Sequence, residues 1–273
     1  MRLNIRHRTV YRYDRPIAYA IQTLRLTPSP HDGLHILSWR LRGETRRQLT
    51  ASTDGFGNVV HCHTVNHPHD TSAVFVEGEV ETHDTAGVVR NAPDPLPPLY
   101  YMQPTPLTGM TPRIDAFAKE AVAGIEVPLD RLHRLMLAVR DAVDWQLGRT
   151  AVHTDADEAL AEGAGVCQDH AHLFIAACRA LDVPARYVSG YLWTGDHDEE
   201  FDANHAWSEA YVEGLGWVGF DPANRVCPNE YYVRCAVGPD YRGAAPVRGL
   251  VRGEAVEEME VQVRVTQSVG GQQ

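Results

Sequence analysis

Seven prolines crowd residues 85–112 (Pro93, Pro95, Pro97, Pro98, Pro104, Pro106 and Pro112), and they divide what this chain can fold into. Proline lacks the amide hydrogen that strand ladders and helix interiors require, so the stretch reads as an extended linker over a surface. The sequence period differs on its two sides. Before it, Leu3, Ile5, His7, Thr9 and Tyr11 alternate with Asn4, Arg6, Arg8 and Val10, and Leu37, Trp39 and Leu41 alternate with Ser38, Arg40 and Arg42. A period of two is the mark of strands. Asp54-Gly55-Phe56-Gly57-Asn58 is a turn signal leading into a strand over 59–65, and 73–82 is a further strand. Residues 1–84 are therefore expected to form an antiparallel β domain of about six strands, with no convincing helix.

After the linker the period becomes helical. Leu132, Leu135, Met136, Val139 and Val143 fall on one helix face. Asp155 with Glu158 resembles a capping box, with aspartate in the cap role, before a short helix to Leu160, and Gly163 and Gly165 break it. The next helix is expected from Cys167 to Leu181, with Cys167, Ala171, Phe174, Cys178 and Leu181 on one face and Pro184 preventing extension. Strands are expected next over 185–192, 205–212 and 217–220, with more β-like sequence over 231–237 and 254–266. The whole is an α+β protein: a β domain over 1–84, a linker over 85–112, a catalytic core over 113–267 and a frayed tail over 268–273.

That core is called catalytic because of three residues in order. Cys167 comes after a glycine turn and opens a helix, where unpaired N–H groups and the positive end of the helix dipole favour a thiolate. The same N–H groups can stabilise the oxyanion of a tetrahedral intermediate. His205 sits on a strand with Trp207, Glu209 and Tyr211 at alternate positions, and Gly214 and Gly216 turn the chain back toward Asp221. An antiparallel hairpin would bring Asp221 near His205, with a bulge to align them if the register demands it. Asp221 would then fix the imidazole tautomer while the other ring nitrogen faces Cys167. Cys178 reads as a small buried thiol of the core.

GVCQDHAHLFIAACRALDVPARYVSGYL (residues 165–192) with NHAWSEAYVEGLGWVGFDPANR (204–225) strongly resembles the core of the bacterial transglutaminase-like superfamily. The first 84 residues resemble the β-rich domain that precedes this core in one bacterial branch. The resemblance implies a papain-like core with Cys167 as nucleophile, His205 as general base and acid, and Asp221 as the orienting residue. It also implies peptidase or amidase chemistry ahead of protein cross-linking. His170 departs from the pattern, which places an aromatic residue there, commonly phenylalanine. Trp145 matches a position where relatives carry an aromatic upstream of the cysteine. Its indole N–H or the Gln168 amide could serve as a second oxyanion donor, with core packing the alternative for Trp145.

Bulk properties narrow the partners. With 25 basic and 36 acidic residues the net charge is -11, which disfavours nucleic acid and anionic membranes. Basic residues early in the chain read as a solvated strand face. Neither a signal-peptide-like apolar run at the start nor an 18-residue apolar stretch is present, so the expectation is a cytoplasmic protein. Five cysteines without framework spacing suit a reducing compartment. Cys167 and Cys178, eleven residues apart on one helix, would lie roughly 16 Å apart, beyond disulfide reach.

Two clusters invite a metal and are set aside. His61, His63, His67 and His69 with Cys62 lack paired ligand spacing and read as a solvated histidine-rich strand and turn. Asp196, Asp198, Glu199, Glu200 and Asp202 lack the glycine and spacing of a calcium loop and read as a solvated lid. No cofactor or metal is called for. The expected function is a thiol hydrolase of peptide or protein amide bonds. An amine-accepting transglutaminase sharing the thioester step, and a catalytically silent binding module, are the alternatives.

Overall fold

Alternation at the N-terminus produces one long strand, β1 (Arg2–Ile17), whose Leu3, Ile5, His7, Thr9 and Tyr11 are buried. The computed structural model describes residues 1–44, 48–195 and 204–268. Five more strands precede the linker: β2 (Tyr19–Leu24), β3 (Leu34–Arg42), β4 (Ala51–Thr53), β5 (Val59–Val65) and β6 (His69–Thr82). β1 pairs with β6, and β6 with β3; β2 pairs with β5, and β5 with β4, all antiparallel. Leu3, Ile5, Leu24, Leu34, Val74 and Val80 pack between these layers.

The proline-rich segment is bound closely to the core. It supplies β7 (Val88–Val89), which pairs with a core strand, and a 3-10 turn over Pro98–Met102 that buries Tyr101. Buried Arg179 donates to the Tyr101 carbonyl at 2.7 Å and to the carbonyls of Ala185 and Pro239 at 3.1 and 3.0 Å. A guanidinium has five donors, so one side chain can satisfy several carbonyls that would otherwise be buried unpaired.

The remaining elements are α1 (Pro112–Ala121), α2 (Pro128–Ala142), β8 (Asp144–Trp145), α3 (Ala156–Glu162), β9 (Ala164–Gly165), α4 (Cys167–Ala180), β10 (Ala185–Leu192), β11 (Asn204–Val212), β12 (Gly216–Phe220), β13 (Tyr232–Gly238) and α5 (Tyr241–Ala244). β13, β10, β11, β12 and β7 form one antiparallel sheet in that order. Every residue of α4 from Asp169 to Arg179 is buried, so this helix is sunk in the core. Leu135 and Val139 of α2, Ile114 of α1 and Phe220 of the sheet close around it. The Phe174 and Phe220 rings lie 5.2 Å apart, a pairing that contributes about 1 kcal/mol beyond burial.

Three sequence expectations need correction. Helix α1 was not anticipated, although Thr111 caps it by accepting from the Ile114 N–H at 3.2 Å and Pro112 opens it. The stretch assigned to the core as far as residue 267 divides: β14 (Val247–Arg252) pairs with β2, and β15 (Glu257–Gln267) pairs with β1. The chain thus returns to its first sheets, whose edges these strands cover. The histidine strand, read as solvated, has His61 and His63 on one face as expected, but that face is buried. His63 Nδ1 meets Gln22 Oε1 at 3.1 Å, and burial pushes both imidazoles below their usual pKa. Among the described residues no group of three or more His, Cys, Asp or Glu is arranged to hold a metal. The acidic run at 196–202 lies outside the described residues.

Candidate active site

Cys167 occupies the first position of α4, after Val166, which brings no side-chain cap. The turn that delivers it depends on the preceding glycines. Gly163 has φ +68, a left-handed conformation, and a Cβ at Gly165 would meet the Asp169 side chain at 2.7 Å. That space lets Asp169 Oδ2 fold back to accept from the Val166 N–H at 2.8 Å and the Thr150 hydroxyl at 2.7 Å. A carboxylate bonded at the start of a helix fixes its first turn and leaves the thiol half-buried at the tip.

His205 and Asp221 come from the hairpin that the sequence anticipated. Ser208 pairs with Phe220 and Val212 with Gly216 with no bulge between them. One step further along this register, Asp221 faces Trp207 and lies diagonal to His205 on the same face. His205 Nε2 meets Asp221 Oδ2 at 2.6 Å. The same oxygen accepts from the Tyr232 hydroxyl at 2.8 Å and from Asn224 Nδ2 at 2.7 Å, while Oδ1 accepts from the Asn224 N–H at 3.3 Å. Cys167 lines the same cleft as His205 and favours its charged imidazole. Because Nε2 is engaged by the carboxylate, Nδ1 is the nitrogen left for the sulfur.

The electrostatics arise from these contacts. Burial would push the His205 pKa down, but the charge of Asp221, the hydrogen bond to it and the contact with Cys167 outweigh burial and raise it from 6.5 to about 10. For Asp221 burial favours the neutral acid. The His205 charge and the hydrogen bonds from His205, Tyr232 and Asn224 prevail and hold its pKa below the usual value. Trp207 stacks on the imidazole at 6.2 Å and meets Tyr232 edge-on at 5.3 Å, which seals one side of the pair.

Of the other residues singled out by sequence, Gln168 lines the same cleft as Cys167 and His205, with its Nε2 donating to the Val152 carbonyl at 3.2 Å. Trp145 pairs with Gly165 across β8 and β9 and is 48% exposed, outside the buried core. Cys178 is buried, which pushes its thiol far up. His170, the departure from the expected aromatic, is fully buried with Nδ1 2.8 Å from the Val166 carbonyl and Nε2 2.8 Å from the Val143 carbonyl. Carbonyl oxygens only accept, so whichever ring nitrogen carries hydrogen donates to the carbonyl beside it. Where an aromatic ring would merely fill space, this ring ties α4 to the end of α2.

Tyr232, Asn224, Asp169 and Thr150 were not identified from sequence. Asn224 carried a signal, standing three residues after Asp221 where its N–H can close a turn on that carboxylate. Tyr232 carried none, because β13 reaches the site only through the sheet order.

Comparison with known proteins places the chain by family and fold. Residues 115–222 match the transglutaminase-like superfamily core, and residues 3–81 match the bacterial transglutaminase-like N-terminal region. An uncharacterized protein of Mycobacterium leprae is 30% identical over 97% of this chain and 98% of its own. An uncharacterized protein of Mycobacterium bovis is 29% identical over 92% of this chain and 87% of its own. A Cytophaga hutchinsonii structure carrying the name "Putative Cysteine Protease" shares the fold with a TM-score of 0.77, at 22% identity over 98% of this chain and 91% of that one. With the N-terminal β region and the core both matched, and a full-length relative beside them, the chain belongs to the bacterial transglutaminase-like superfamily.

Proposed function

We propose that this protein is a thiol hydrolase of peptide or amide bonds, with Cys167 as nucleophile, His205 as general base and acid, and Asp221 as the residue that orients His205. The observation that carries this reading is an imidazole held by Asp221 at 2.6 Å in the cleft it shares with Cys167, which stands at the start of a helix. In the first step His205 holds the thiol proton as the sulfur attacks the substrate carbonyl carbon. The carbonyl oxygen becomes an oxyanion facing the N–H groups of the first turn of α4. His205 gives its proton to the leaving nitrogen, the C–N bond breaks and an amine departs, leaving a thioester on Cys167. Water then attacks that thioester, His205 takes its proton, and the C–S bond breaks to release the acid and restore the thiol.

The backbone N–H groups of α4 are the preferred oxyanion donors in this reading. The Gln168 side chain is already turned to Val152, and Trp145, beside Gly165, is the second candidate. Among the described residues no helix is long and apolar enough to cross a membrane, and all five cysteines are free. The test is to incubate the protein with peptide amides, EDTA and a labelled primary amine. Free acid without incorporated label supports the reading; calcium-dependent amine incorporation with little hydrolysis would replace hydrolysis by acyl transfer to amines. If no thiol probe reacts with Cys167, the silent binding module takes its place.

A further inference from the structure

Cys167 and His205 open into a cleft of about 290 Å³, and one wall of that cleft is foreign to the core. It is built by the first and last strands of the β region. Tyr11 of β1 pairs directly with Met259 of β15, and Thr9 pairs with Val261. Cross-strand partners share a face, so two adjacent rows of the sheet look toward the nucleophile. Arg8 and Arg12, on the alternate positions of β1, project from the opposite face, where both pair with Glu260. The core side supplies Tyr187 and Tyr241, and β14 adds Val247. None of the described residues lining the cleft is Asp, Glu, Lys or Arg.

His7 is the titratable base of the wall, and it contributes no charge near neutral pH. Burial lowers its pKa to about 4, and its ring nitrogens are engaged by the Tyr191 hydroxyl at 3.0 Å and Thr9 Oγ1 at 2.8 Å. On the other flank of Cys167, the loop that carries Trp145, Leu147 and Val152 leaves all three well exposed. This loop is fastened beside the nucleophile by the pairing of Trp145 with Gly165 and by the bond from Gln168 to Val152. Apart from the Cys167–His205 pair itself, a charged side chain entering such a cleft would lose its hydration and meet no counter-charge among the described lining residues, which is costly. An apolar side chain would gain from the same burial.

From this we infer that the β region is a specificity element of the enzyme: Tyr11, Met259 and Val261 form a subsite for an uncharged aromatic or large aliphatic side chain beside the scissile carbonyl. The inference rests on the thiol-hydrolase reading and deepens it by naming the substrate class. It also gives the return of β15 to β1 a role in recognition, since without that pairing Met259 and Val261 would not face Cys167.

The test uses the whole protein and four peptidyl acyloxymethyl ketones that differ only in the residue before the ketone: Phe, Leu, Lys or Glu. Each rate of attachment to Cys167, monitored by intact mass, is divided by the rate with iodoacetamide, which needs no subsite. Phe and Leu probes should react at least about tenfold faster than Lys and Glu probes. Met259→Glu, at a side chain 56% exposed and so tolerant of change, should lower the Phe-to-Lys ratio by about tenfold. Equal rates for the four probes, failure of all four while iodoacetamide still reacts, a preference for Lys or Glu, or an unchanged ratio in Met259→Glu would overturn the inference and leave the nucleophile standing. Absence of iodoacetamide labelling at Cys167 would instead overturn the reading beneath it.

Discussion

Among the described residues the core contains two thiol–imidazole pairs, and they differ instructively. Cys227 Sγ lies 3.9 Å from His133 Nδ1, near enough to resemble the Cys167–His205 pair at first sight. Behind His133, however, stands the edge of the Phe220 ring at 5.4 Å, and no carboxylate bonds it among the described residues. Cys227 lies in the connection between β12 and β13 and not at a helix start, and burial pushes its thiol up to about 11. On the proposed reading, contact between sulfur and imidazole is therefore common to an inert pair and a poised one. What separates them is the buried carboxylate that holds the imidazole proton and the helix terminus that faces the sulfur.

The largest effect that tests this contrast is loss of the proposed nucleophile. Cys167→Ala should reduce hydrolysis by at least about 10⁴-fold, while Cys227→Ala leaves it nearly unchanged. Labelling with iodoacetamide at pH 7 should take the same order. A thiol with a pKa of about 11 has about one ten-thousandth of its population as thiolate there, so Cys227 should react far behind Cys167. Peptide mapping after partial alkylation is the measurement. Faster modification of Cys227 would reverse the assignment.

Next in size is the carboxylate. Asp221→Asn keeps the shape of the site but removes the charge that orients and sustains the imidazolium, leaving His205 closer to the condition of His133. The rate should fall between about 10²- and 10⁴-fold, with the fall mainly in kcat. A loss of less than about threefold would mean that the carboxylate is not what distinguishes the two pairs.

A stability measurement sharpens the same point without any substrate. The folded His205 keeps its proton up to about pH 10, whereas in the unfolded chain it titrates near 6.5. Its contribution is fully present below about 6.5 and is lost as pH rises through about 10. Cys227 titrates near 9 unfolded and about 11 folded, so its contribution begins to fall only above about pH 9. The urea midpoint should thus already decline between pH 6.5 and 9, and that part of the slope should flatten in Asp221→Asn. If the slope persists in that variant, the raised His205 pKa does not come from Asp221.

The reasons for what could be read in the sequence are local. Cys167 was legible because a glycine turn and a helix period fix its place within one segment, and Asp221 because a two-glycine turn joins its strand to that of His205. Burial of His61 and His63 was not, since alternation tells which residues share a face and not which face will be covered. Nor was the return of β14 and β15. Their alternation suits any sheet, and only the unpaired edges of β1 and β2, distant in sequence, decide which one they join. Trp145 was balanced between packing and chemistry and lies in neither the core nor the Asp221 network, because β8 holds it at the surface beside Gly165. Tyr232 shows the limit most plainly, arriving from a strand beyond β10 while Asp221 comes just after β12.

Tyr232 also allows the finest test of the contrast between the two pairs. Its hydroxyl is one of three donors to Asp221 Oδ2, beside His205 Nε2 and Asn224 Nδ2. Tyr232→Phe removes that donor and keeps the ring against Trp207, so the change isolates one hydrogen bond to a carboxylate. Such a bond contributes about 1.5–3 kcal/mol where it is lost outright. Here two donors remain on the same oxygen, and a loss near about 1 kcal/mol, or roughly fivefold in rate, is expected. The Asp221 pKa should rise in the variant, because one of the bonds that holds it down is gone. The acid limb of the stability profile should therefore move to higher pH, while the slope between pH 6.5 and 9 remains. A loss as large as that of Asp221→Asn would show that the carboxylate cannot hold His205 without the tyrosine. The distinction between the two pairs would then lie in the whole hydrogen-bonded cluster and not in the single charge.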